Sequence, residues 1–163
     1  MPESIFLGPP RPHAGRAAGF SFVELVLVLA IVVVVGTMAA PRYGRSLARY
    51  RATAAARRVA ADLGLARSEA MADSSIKTVI FTLPDRYATG NVAALDTPAT
   101  DYEVVLSDAP YQATLHSVNF EGANSVSFNG YGYPNRGGTV VVRVGAFQKT
   151  VTLSADTGKA VVD

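Results

Sequence analysis

Behind Gly19-Phe20-Ser21-Phe22-Val23-Glu24 lies an apolar stretch, Leu25 to Ala40, in which Leu25 to Val35 form eleven apolar residues without a break. A chain of 163 residues builds only a small domain, and a small domain cannot bury such a run on every side. From Phe20 to Ala40 the only strongly polar residue is Glu24. As an α-helix these residues would extend about 30 Å, roughly the thickness of a bilayer's hydrocarbon layer. The expectation is a transmembrane helix over 20–40, weakened near its far end by Gly36 and Pro41.

Glu24 is the anomaly in this segment. A carboxylate left unpaired at depth costs about 2–3 kcal/mol or more. Either it reaches water at the interface, or it meets a cation. Cutting the chain after Gly19 would create a free amine on Phe20, four residues away, on the same subunit or a neighbour. Residues 1–18 are consistent with a removable segment. Pro2, Pro9, Pro10 and Pro12 preclude a stable helix there, and no periodicity of either kind is visible. They read as a tail or a processed leader. An ordinary secretory signal is excluded, because the apolar stretch follows Gly19 and would survive a cut there.

After Pro41 the pattern remains helical. Tyr43, Leu47, Tyr50 and Ala54 recur at four- and three-residue steps, and Val59, Leu63, Ala66 and Ala70 continue the stripe after a phase slip. An amphipathic helix is expected over 41–73. Arg42, Arg45, Arg49, Arg51, Arg57 and Arg58 fall within seventeen residues that carry no acid, mainly on the opposite face, and are read as a solvated surface. Beyond Asp73-Ser74-Ser75 the period changes to two. Strands are expected around Val79–Leu83, Tyr102–Leu106, Ala113–Leu115, Val126–Phe128, Val140–Val144, Phe147–Leu153 and Ala160–Val162, with 86–100 as a loop holding one short strand near Tyr87. Gly145-Ala146 between two alternating segments suits a type II′ hairpin. The fold class is therefore α+β, a long N-terminal helix, first half transmembrane, covering an antiparallel sheet domain over 74–163.

The register of Gly19, Phe20, Glu24 and Pro41 resembles the class III signal of type IV pilins and pseudopilins. Such proteins share a glycine before the cut, usually a phenylalanine after it, a glutamate fifth in the mature chain and commonly a proline twenty-second. The resemblance implies a leader over 1–19, cutting between Gly19 and Phe20 by a prepilin peptidase, and N-methylation of Phe20. It also implies pairing of Glu24 with the amine of a neighbouring pilin or pseudopilin subunit. The same resemblance places the chain in the lipid of the inner membrane as a single-pass protein with its soluble domain on the periplasmic side. Counting positive charges alone would place the arginine-rich side in the cytoplasm. Further along, Val126-Ser127-Phe128-Asn129-Gly130, the glycines at 137 and 138, two valine-rich strands and Asp156-Thr157-Gly158-Lys159-Ala160-Val161 resemble the GspH/FimT pseudopilin domain. Lys159 and Ala160 stand where that family more often has arginine and an aliphatic residue.

The remaining chemistry is sparse. There are no cysteines, so neither disulfides nor thiolate metal sites are available, and no cofactor or metal is expected. His116 is the only histidine after Gly19, and no metal-ligand spacing or phosphate-cradling glycine loop occurs. No enzyme is expected. Two functions remain. One is a filament subunit of a type II secretion or type IV pilus machine. The alternative, implied by some FimT-like proteins, is DNA binding through Arg136, Arg143, Lys149 and Lys159, with Tyr131 and Tyr133 available for stacking. A formal net charge of +2 gives that alternative little support.

Overall fold

The computed structural model describes residues 19–93 and 101–163, with side chains described throughout except at 38–42, 91–93 and 101. The leader read over 1–19 lies, apart from Gly19, outside the described residues. The chain divides into two compact units, Met1–Ala40 and Pro41–Asp163. One helix, α1 (Phe22–Ala72), contributes to both and stays helical through Gly36 and Pro41.

In the first unit, the Leu25 N–H donates to the Ser21 carbonyl at 3.1 Å and closes the opening turn of α1, which carries Glu24. The apolar side chains here are exposed in unbroken succession, with Leu25 at 53%, Val26 at 50%, Leu27 at 59% and Val28 at 49%. Consecutive residues on a helix point in different directions, so this surface is apolar all round. Among the described residues no helix is long and apolar enough to cross a membrane. Side chains of this segment are described as far as Thr37, and the last three positions of the expected span lie outside them.

In the second unit eight strands follow the helix: β1 (Lys77–Thr82), β2 (Arg86–Ala93), β3 (Asp101–Val105), β4 (Thr114–Asn119), β5 (Ser125–Phe128), β6 (Gly138–Val144), β7 (Phe147–Leu153) and β8 (Ala160–Val162). They form two four-stranded sheets, ordered β3-β2-β1-β5 and β4-β6-β7-β8. Every pairing is antiparallel. The expected α+β architecture, a helix on antiparallel strands, is what forms, but its strands divide between two sheets. The segment β2 is a full eight-residue strand where a loop was expected. Gly90 and Asn91 obscure it in the sequence, being poor strand formers, while pairing with β1 on one side and β3 on the other holds it extended.

Both sheets and the helix share one core. Ala55, Ala56, Val59, Leu63, Ala66 and Ala70 of α1 meet Val79, Phe81 and Phe128 of one sheet and Leu115, Val140, Val142 and Val151 of the other. Phe120, just after β4, stacks on Phe81 with ring centroids 5.7 Å apart, and Phe81 in turn lies 5.3 Å from Tyr87. The four alanines of the helix face let its backbone come close to the strands without leaving voids. Val59, Leu63, Ala66 and Ala70 face the core as their spacing predicts. Tyr43 and Tyr50 do not. They are 73% and 72% exposed, and the buried face before Val59 is made by Ala52, Ala55 and Ala56 instead. The buried face thus begins at Ala52, ahead of the phase slip between Ala54 and Val59. The hairpin between β6 and β7 turns at Gly145-Ala146, with Val144 opposite Phe147 and Gly145 at φ 58°, as a type II′ turn requires at its first central residue.

Candidate functional site

Four features of the chain bear on function: the N-terminal stretch, a buried polar cluster on α1, a pair of glycine turns and a set of scattered cations.

Phe20 is 84% exposed ahead of the helix, and a Cβ on Gly19 would meet nothing within 4 Å. Glu24 is exposed in the first turn of α1, and among the described residues no ion pair includes it. Its position also has a plain local benefit, since an acid in the first turn complements the positive end of the helix dipole by about 0.3–1 kcal/mol. Pro41 lies within α1, and its side chain is outside the described residues.

The buried cluster was not anticipated. Asp62 sits on the core-facing side of α1 at 6% exposure, between Val59 and Leu63. It accepts hydrogen bonds from Tyr87 Oη at 2.5 Å and from Arg58 Nε at 3.0 Å, with Tyr102 Oη at 3.4 Å. Arg58 also donates to the Tyr102 hydroxyl and lies 5.8 Å from the centre of its ring. The cluster therefore ties the helix to β2 and β3. Burial alone would depress the Arg58 pKa, but the Asp62 charge and hydrogen bond outweigh it and hold the guanidinium above its ordinary value. Arg58 is thus tied into the fold by Asp62 and Tyr102, although its side chain stays 39% exposed. Arg45, Arg49 and Arg57 remain exposed, as expected. The sequence signal was the i,i+4 pair itself, an acid placed on an apolar stripe one turn after an arginine.

Burial and the neighbouring carboxylate both push the Tyr87 phenol well above its ordinary value. The contribution to stability is accordingly complete below the unfolded value of about 10 and declines at higher pH, where the unfolded chain releases a proton that the folded chain retains. In alkaline melts the wild-type protein should lose stability more steeply than Tyr87→Phe between about pH 9.5 and 11.

The glycine turns are built for close approach. Asn129 Oδ1 accepts the backbone N–H groups of Tyr131 and Tyr133, each at 3.0 Å, and leaves both aromatic rings exposed. Within this turn Gly132 has φ 79°, and its carbonyl accepts from Arg67 Nε of α1 at 3.0 Å. Gly158, at φ 63°, comes so near that a Cβ there would stand 2.7 Å from the Gly132 oxygen and 3.1 Å from Arg67 Nε. The two motifs, nearly thirty residues apart, therefore meet over one arginine of the helix. They are packing devices.

Of the four cations considered for nucleic acid, two lie on different faces of one sheet. Val142 is opposite Lys149 and Arg143 opposite Gln148, so Arg143 and Lys149 project from opposite faces of their sheet. Arg136 precedes β6 by two residues, and Lys159 precedes β8, its carbonyl accepting from the Ser154 N–H at 3.0 Å. Arg136 and Arg143 thus mark the two ends of β6, about 20 Å apart along an extended chain. His116 is exposed on β4. Among the described residues no group of three His, Cys, Asp or Glu could hold a metal ion.

The family described as Type II transport protein GspH matches residues 55–157, most of the second unit. The chain belongs to the GspH family. Its match covers the helix face from Ala55, every strand but β8 and the Asn129–Pro134 turn, so the Asp62 cluster lies inside the matched region while Gly19, Phe20 and Glu24 precede it. Two crystal forms of the type IV minor pilin FimU of Pseudomonas aeruginosa (strain PAO1) have a similar fold. One aligns with a TM-score of 0.53 and 17% identity over 71% of this chain and 90% of that chain. The other has a TM-score of 0.50 and 16% identity over 68% and 91%. No curated protein matches the sequence.

Proposed function

We propose that this GspH-family chain is a minor pseudopilin or pilin, made as a precursor and assembled into a filament of a type II secretion or type IV pilus machine. The observation that carries this reading is the first unit of the fold. Its large apolar side chains from Phe22 to Val35 are exposed on every side of the helix, far more than a protein stable in water leaves uncovered. Lipid covers such a surface before assembly, and neighbouring helices cover it in a filament. The first half of α1 then anchors the chain once in the inner membrane, with the GspH domain on the periplasmic side.

In this reading a prepilin peptidase cuts between Gly19 and Phe20 and methylates the new amine. Glu24 has no cation among the described residues, and the amine of a neighbouring subunit supplies one. Transfer of the charged pair into an apolar environment is far less costly than transfer of either charge alone. The pair therefore favours addition of a subunit whose leader is gone. Pro41 adapts the helix where the apolar segment ends.

Co-expression with a prepilin peptidase should yield a chain whose N-terminal peptide begins at Phe20 and is one methyl group heavier than the unmodified sequence. Gly19→Ala should slow the cut severely, whereas Glu24→Ala should be cut and membrane-bound yet missing from sheared filaments. A product that retains its leader, or starts elsewhere, rules the reading out.

A further inference from the structure

A cleft of about 400 Å³ separates the middle of α1 from the segment that joins β3 to β4. On the helix side it is lined by Tyr50, Arg51, Arg57 and Arg58, with Ala54 as floor. These positions, at i, i+1, i+4, i+7 and i+8, share one flank of the helix. Pro110 and Tyr111 form the opposite wall. The wall is held in place by hydrogen bonds from the Tyr111 N–H to the Asp108 carbonyl at 3.1 Å and from the Ala113 N–H to the Leu106 carbonyl at 2.8 Å, and by the full burial of Leu106 and Ala113.

The charges of the cleft are unequal in kind. Arg58 is already engaged by Asp62 and Tyr102. Among the described residues neither Arg51 nor Arg57 has an ion pair, and no acidic residue lines the cleft. Two guanidinium groups are thus presented between tyrosine and proline surfaces, with a third arginine locked as part of the wall. Arginine and tyrosine in a concave, partly desolvated setting are the residue types that dominate protein–protein binding energy. Guanidinium forks suit a carboxylate, which they bind in a bidentate manner.

We infer that this cleft docks an acidic segment of a neighbouring filament subunit, a Glu or Asp flanked by an apolar residue. The carboxylate engages Arg51 and Arg57, and the apolar neighbour lies against Tyr50, Pro110 and Tyr111. The inference rests on the proposed assembly role and specifies one of its contacts. Free phosphate is disfavoured as occupant, because it would use the two arginines and leave the apolar walls uncovered, and an oligonucleotide is distinguished by the test below. Among the described residues the Arg51 and Arg57 side chains make no hydrogen bond that their replacement would break, so variants at these positions should keep the fold.

The test uses the full, processed chain in detergent micelles. The probes are a fluorescent peptide of alternating Glu and Phe, the same peptide with Gln for Glu, inorganic phosphate and a single-stranded oligonucleotide. The acidic peptide should bind, with affinity falling about tenfold or more in Arg51→Gln/Arg57→Gln and for the Gln peptide, and weakening as salt rises. In cells, Arg51→Glu/Arg57→Glu should be cut at Gly19 and reach the membrane but be under-represented in filaments. Equal binding of the acidic peptide by the wild-type and Gln variants overturns the inference, as does an oligonucleotide or phosphate that displaces the peptide by occupying the same arginines. Normal filament incorporation of the Glu variant also overturns it, while leaving the assembly role intact. Failure of the Gly19 cut in the wild type would instead remove the assembly role.

Discussion

Asp62→Ala is expected to destabilise the GspH domain by about 2–4 kcal/mol. Two effects add. The Tyr87 hydroxyl, in a residue only 1% exposed, loses its acceptor and pays the full penalty of a buried unsatisfied donor. Arg58 loses the carboxylate that holds it against Tyr102, although its partial exposure lets water replace some of that interaction. Asp62→Asn should cost less, because the amide oxygen still accepts from Tyr87 and only the charge is lost. Thermal melts of the purified chain check this, with the alanine variant expected to melt about 10 °C below wild type and the asparagine variant between the two. A melting point for Asp62→Ala within a degree or two of wild type would mean that the cluster is ornamental. The effect on function should follow stability, because the cluster clamps α1 to β2 and β3 beside the arginine cleft.

Gly138→Ala should be at least as damaging, at about 3 kcal/mol or more. Gly138 begins β6, and Asn119 at the end of β4 pairs with its neighbour Thr139. A Cβ at this position would run into the Asn119 carbonyl oxygen and stand 2.7 Å from Phe120 Cα and 2.5 Å from Phe120 Cδ1. Two of these atoms belong to backbone, and the third to a fully buried ring that stacks on Phe81. Nothing flexible can give way, so β4 and β6 must separate or the Phe120 ring must leave the core. Gly145→Ala is the comparison. It strains a left-handed residue at the hairpin tip but meets nothing within 4 Å, and should cost about 1–2 kcal/mol. Denaturant titrations of the three proteins should rank wild type, Gly145→Ala and Gly138→Ala in falling midpoint. A reversed order would show that local backbone strain outweighs steric conflict in this sheet.

Much of the fold was legible because local patterns carry it. The apolar run from Leu25, the helical spacing of Val59, Leu63, Ala66 and Ala70, and the period-two alternation of β6 and β7 each need only neighbours in sequence to be read. The same holds for the glycine-led turn at Gly145-Ala146. The stretch from Gly19 to Glu24 was legible for a different reason. Its resemblance to a processing signal is a linear pattern, a glycine with an acid five residues beyond it, and is read without any tertiary partner.

What the sequence could not convey are pairings between distant residues. Tyr43 and Tyr50 continue a periodic stripe but stay exposed, because the surface they would cover is closed instead by alanines one residue out of phase. Strand β2 contains Gly90 and Asn91 and becomes extended only between two partners. The division of eight strands between two sheets follows from which edges meet across the core, a matter decided by packing around Phe81 and Phe120. Arg58 and Arg51 look alike as residues of one basic stretch. Only the positions of Asp62 and Tyr102 make the first a structural clamp, while the second has no ion pair among the described residues. By itself, then, the sequence determined the apolar helix, its single acid and the α+β order of elements, since these depend on period and composition. The tertiary structure alone decided which charges are neutralised and which face solvent, because that depends on distances between segments remote along the chain.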